Sequence, residues 1–132
     1  MKDWLMIIYE RLRTNVVIAE KVGPRIKFYK NPQSADTSKD FIRMSYAEPP
    51  RAATYASNEA STEEMAVQID VETYERMTAK VLQSEVNKEL RKLNLTQEPG
   101  GLDDYFEETA RYVDSRRYSG RPYFIENKEE IK

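Results

Sequence analysis

Apolar and polar residues at the start of the chain recur at helical spacing. Trp4, Leu5, Ile8 and Leu12 line one face behind Asp3, a side chain suited to an N-cap. Asn15 is placed either to end this helix or to cap a short second one over 16–22, which Gly23-Pro24 stops. Residues 25–29 then alternate: Ile26 and Phe28 point one way and the cations the other, as in a strand. Asn31-Pro32 and the polar run to Lys39 read as a loop. A second strand spans 41–48, with Ile42, Met44 and Tyr46 on one face. Pro49 and Pro50 are expected to end its regular pairing, because neither can donate to a ladder. Residues 48–64 keep no steady period and read as a long loop, a type that is mostly functional or disordered.

The clearest strand follows over 64–72. Met65, Val67, Ile69 and Val71 alternate with small or polar residues, so one face is buried and the other wet, as in an antiparallel sheet. Thr73 is expected to cap a helix over 74–93 with an apolar stripe of Met77, Val81, Leu82, Val86, Leu90 and Leu93. Lys80, Glu85, Lys88, Glu89 and Arg91 lie outside that stripe. Pro99-Gly100-Gly101 breaks the chain, and strands over 102–107 and 112–118 form a hairpin about a turn at 108–111. The expected fold is α+β: one domain over residues 1–124, a mainly antiparallel sheet covered by helices on one face, and a charged, frayed tail over 125–132.

Composition narrows the chemistry. The 132 residues include no cysteine and no histidine, which removes thiolate nucleophiles, the commonest base near neutral pH and the commonest metal ligand. The acids that invite an active-site reading are adjacent pairs, Glu63-Glu64, Asp103-Asp104 and Glu107-Glu108. Neighbours on a strand point to opposite faces and rarely share a site. The four glycines cannot form a phosphate-cradling loop. We therefore expect no catalytic residue, no metal and no cofactor. The net charge of −2 gives no overall basic excess, so no specific nucleic acid is expected. No apolar run reaches the roughly 18 residues of a membrane span, so a cytoplasmic, non-membrane protein is expected.

The stretch Arg111-Tyr112-Val113-Asp114-Ser115-Arg116-Arg117-Tyr118 is rich in residue types found at protein interfaces. Arg116, Arg117 and Tyr118 are the candidate seam with a second subunit, and Glu59, Glu63 and Glu64 the acidic patch that would meet them. An alternative uses 111–121 to bind nucleic acid as an accessory protein, by stacking and phosphate contacts.

Five stretches carry a resemblance that spans nearly the whole chain. They are Trp4-Leu5 with Ile8-Tyr9, Val22-Gly23-Pro24-Arg25-Ile26, Ser34-Ala35-Asp36, Gln68-Ile69-Asp70-Val71 and Asp114-Ser115-Arg116-Arg117-Tyr118-Ser119-Gly120. In their order the chain resembles the tail terminator and tail-to-head joining proteins of long-tailed phages with non-contractile tails. More closely, it resembles small proteins of phages and prophages of Gram-positive bacteria. The resemblance implies a subunit of a homo-oligomeric ring, a hexamer, which caps the tail tube protein and docks on the head connector. It implies assembly in the host cytoplasm, a final place in the neck of the virion, and no catalytic residues.

Overall fold

The structure, a computed structural model, describes residues 2–30, 38–52 and 63–123. Glu59, the middle of the 48–64 loop, most of the 31–39 loop and the 125–132 tail lie outside the described residues.

Helix α1 (Trp4–Thr14) begins where Asp3 accepts a hydrogen bond from the Met6 N–H at 3.1 Å, and it buries Trp4, Leu5, Ile8 and Leu12. Asn15 both closes α1 and caps α2 (Val16–Lys21), accepting from the Ile18 N–H at 3.0 Å. Strands β1 (Ile26–Phe28), β2 (Phe41–Ala52) and β3 (Glu63–Thr73) precede helix α3 (Arg76–Arg91). Strands β4 (Leu95–Gln97), β5 (Leu102–Phe106) and β6 (Arg111–Gly120) follow it.

These six strands form one sheet in the order β1-β2-β3-β6-β4, and β5 shares with β4 the outer side of β6. All pairs are antiparallel except β1 with β2, which is parallel. The expected α+β fold with a mainly antiparallel sheet is therefore the fold observed. Met65, Val67, Ile69 and Val71 all point into the core beneath the helices, beside Ile42 and Met44 of β2.

Four expectations need correction. Helix α3 starts at Arg76, not Tyr74: Thr73 does not cap it but donates its hydroxyl to the Glu75 carbonyl at 2.6 Å, and no side chain caps the helix. Met77 and Val81 are not in the stripe; they are 55% and 38% exposed, because the buried face runs through Ala79, Leu82, Gln83, Val86, Glu89 and Leu90. The 3.6-residue period puts positions 77 and 81 on the side opposite that face. Strand β2 continues through Pro49 and Pro50 to Ala52. Between the pairs Tyr46↔Val67 and Arg51↔Glu64, β2 advances five residues and β3 three, so bulges absorb the prolines without ending the pairing. Strand β4 has no counterpart among the expected elements, since three residues with one buried leucine carry no readable period.

The sheet face away from the helices is not simply wet. Asp70 on that face is 7% exposed, held by Arg43 at 3.2 Å, by Gln68 at 3.1 Å and by the Ser115 hydroxyl. Arg43 also reaches Glu72 at 2.9 Å. This network of side chains lies across β2, β3 and β6.

Candidate assembly surface

Alternation along β6 divides the Arg116-Arg117-Tyr118 stretch between the two faces of the sheet. Tyr118 pairs with Val67 and lies fully buried beneath α3, its hydroxyl donating to Gln83 Oε1 at 2.9 Å. Burial pushes its pKa up to about 12. It is a core residue, so the expected contact with a second subunit cannot pass through it. Arg116 shares the helix side but is held by Asp114 at 2.8 and 3.1 Å, a pairing that raises its pKa further. Arg117 alone is exposed. It points to the open face, donates to Gln68 at 3.2 Å and borders a cleft of about 420 Å³ beside the Glu98-Pro99-Gly101 turn.

The acids are divided in the same way. Glu63 accepts from the Trp4 indole N–H at 3.3 Å on the helix side. Glu64 pairs with Arg51 at 2.8 Å and with Arg121 at 3.6 Å. Both carboxylates, expected to meet a neighbouring subunit, are thus engaged within their own chain.

Asp103 and Asp104 do not converge on a metal site. Asp103 pairs with Lys80 at 2.7 Å, and its neighbour on the strand points to the opposite face. Lys80 also meets the buried Asp114 at 2.7 Å. Burial opposes the charge on Lys80, but the bonds to Asp103 and Asp114 outweigh it and hold its pKa above the ordinary lysine value. The same Lys80 contact holds the Asp103 pKa below the ordinary carboxylate value. Among the described residues no group of three or more acidic side chains could hold a metal ion.

The basic stretch does not form one nucleic-acid-binding strip. Arg111 is 3% exposed, stacked between the Phe41 and Tyr74 rings at 4.9 and 4.4 Å, and donates to the Lys39 carbonyl at 3.1 Å. Of the cations in this stretch, only Arg117 and Arg121 are exposed, and Arg121 pairs with Glu64.

The surface that sequence reasoning missed is β5. All five of its residues are exposed, among them Leu102, Tyr105 and Phe106, and its outer edge pairs with no other strand among the described residues. Asp103, Asp104, Glu107 and Glu108 make this edge acidic. At the far end of the sheet stands β1, flanked by Arg25, Lys27 and Lys30, with Tyr29 57% exposed. The hairpin pattern is legible in the sequence; that its strand is an uncovered edge follows only from the strand order.

No protein-family model and no curated protein matches the sequence. Among solved structures, the fold is similar to that of a chain in the structure described as "Virion of native gene transfer agent (GTA) particle". The TM-score is 0.64 at 16% identity, over 87% of this chain and 90% of that one. The two chains share a fold over nearly their full lengths.

Proposed function

We propose that the protein is a phage or prophage structural and assembly protein, a tail terminator or head–tail joining subunit. It acts by self-association into a hexameric ring and by docking on the tail tube protein and head connector, not by catalysis. The observation that carries this reading is the full-length fold likeness to a chain of a virion particle, joined to the resemblance along the sequence. A subunit whose edges at both ends of the sheet are uncovered among the described residues fits a protein that works by joining. In this reading the protein is assembled in the host cytoplasm and ends in the neck of the virion.

The test is deletion of the gene from the phage or prophage that encodes it, followed by electron microscopy of induced lysates and mass spectrometry of purified particles. The chain should be present in wild-type particles. Without it, tails of irregular length identify a terminator, and normal tails accumulating beside unattached heads identify a joining protein. Complete, infectious particles in the deletion strain would refute the reading.

A further inference from the structure

We propose that the seam between subunits is made edge to edge: the acidic β5 edge of one copy meets the basic β1 edge of the next. The proposal rests on the ring reading and names its contact. The two edges close opposite ends of one sheet, so joining them is heterologous, which is the contact type that builds rings.

Three observations select this pairing. The first is charge. Asp104, Glu107 and Glu108 are exposed on the β5 hairpin, as is Lys30 beside β1, where Lys27 is half-buried; none of the five has an ion-pair partner among the described residues. A β5 edge facing a second β5 edge would bring like charges together, which costs free energy, whereas the β1 edge supplies the opposite sign. The second is direction. Strands β1, β2 and β6 run one way and β3 and β5 the other, so a second copy continuing the sheet in the same orientation sets its β1 antiparallel to β5. The third is sidedness. Lys27 pairs with Arg43 and Asp104 with Val113, and both partners lie on the open face. In a continued sheet the lysine and the aspartate therefore emerge on the same side, while Phe28 and Tyr105 meet on the helix side. The ladder is short, limited by the three residues of β1, so Tyr29, Leu102, Tyr105 and Phe106 must supply apolar contact around it.

The test uses the full chain. The double reversal Lys27→Glu/Lys30→Glu should weaken association by about tenfold or more, as should Asp104→Lys/Glu107→Lys. An equimolar mixture of the two reversed proteins should recover closed rings, because in a ring that alternates the two an acidic edge meets a basic one at every seam. Combining all four substitutions in one chain should restore them. Circular dichroism checks that each variant is folded. As a second measurement, Lys27→Cys/Asp104→Cys introduces the only thiols in the chain, and a short bismaleimide should give a covalent ladder that neither single variant gives. If sedimentation shows rings but the ladder is missing and the reversals have no effect, the seam is overturned and the ring reading stands. A covalent dimer from Asp104→Cys alone also overturns it, since that contact is isologous. If tail tubes neither recruit the wild-type chain nor yield a ladder with the cysteine variant, both the seam and the ring reading fall.

Discussion

Gln83 is the side chain whose replacement tests the packing of α3 on the sheet. It is fully buried, and its Nε2 donates to the carbonyls of Ile69 at 2.9 Å and Asp114 at 2.8 Å, bridging β3 and β6. Its Oε1 accepts the Tyr118 hydroxyl. Gln83→Leu keeps the volume and removes three hydrogen bonds. Each contributes about 1 kcal/mol net, and the stranded tyrosine hydroxyl adds about 1 kcal/mol or more, for a loss of about 4 kcal/mol. Tyr118→Phe alone leaves Gln83 Oε1 without its donor and should cost about 1–2 kcal/mol. In the Gln83→Leu background the same change removes an already unpaired hydroxyl and should cost nothing or stabilise. The coupling energy of the cycle is then about 1–2 kcal/mol. Urea unfolding followed by far-ultraviolet circular dichroism measures all four proteins, with an unchanged m-value as the check that the ensembles are comparable. If Tyr118→Phe costs the same in both backgrounds, the hydroxyl has another partner and Gln83 does not tie α3 to β6 through it.

Three other parts of the structure give measurable outcomes. Stability should fall as pH rises from 10 to 12: the unfolded chain loses the Tyr118 proton at its ordinary value of 10.0, the folded one only at about 12, and Lys80 acts with the same sign. The tyrosine alone accounts for about 2 kcal/mol by pH 12, and alkaline unfolding of Tyr118→Phe should lack that loss. Gly120→Ala should lose about 2 kcal/mol or more in thermal unfolding, because at φ +151° the added Cβ would stand 2.5 Å from the Asn94 carbonyl oxygen, a backbone atom that cannot swing aside. Asn15→Ala should cost about 2 kcal/mol, since Asn15 caps α2 and also donates to Glu85 at 3.1 Å and Glu89 at 2.8 Å. Asn15→Asp keeps the cap but repels both glutamates, so its cost should shrink as pH falls into the carboxylate range.

The elements legible in the sequence are those whose local pattern and tertiary role agree. Met65, Val67, Ile69 and Val71 alternate because one face of β3 is buried, and Asp3 and Asn15 cap because capping needs only neighbours three residues away. Where a polar residue is buried through a distant partner, pattern reading fails. Glu89 reads as surface and is 7% exposed, held by Asn15 and Arg11 from the first two helices. Arg111 reads as a ligand-binding cation and is stacked between two rings from other elements. The candidate seam fails for the same reason. Arg116, Arg117 and Tyr118 are adjacent in the chain, but the pleat sends the first and last under α3, where Asp114 and Gln83 wait.

The same division separates the residues that hold the fold from those that the proposed seam would use. The side chains that combine charge with aromatic surface in the middle of β6 are used internally, across 34 to 49 residues of sequence for the bonds from Lys80 to Asp114 and from Arg117 to Gln68. Removing the buried ones, Tyr118 and Asp114, acts first on stability. Charges without an ion-pair partner among the described residues also stand at the ends of the strand order, Lys27 and Lys30 at β1 and Asp104, Glu107 and Glu108 at β5. Folding and joining therefore draw on different residues. A set of charge changes at Lys27, Lys30, Asp104 and Glu107 should move association without moving the unfolding midpoint, and a set at Gln83, Tyr118 and Asp114 should do the reverse. An association defect that tracked the midpoint across both sets would mean that the edges are not separate from the core, and the edge-to-edge seam would lose its physical basis.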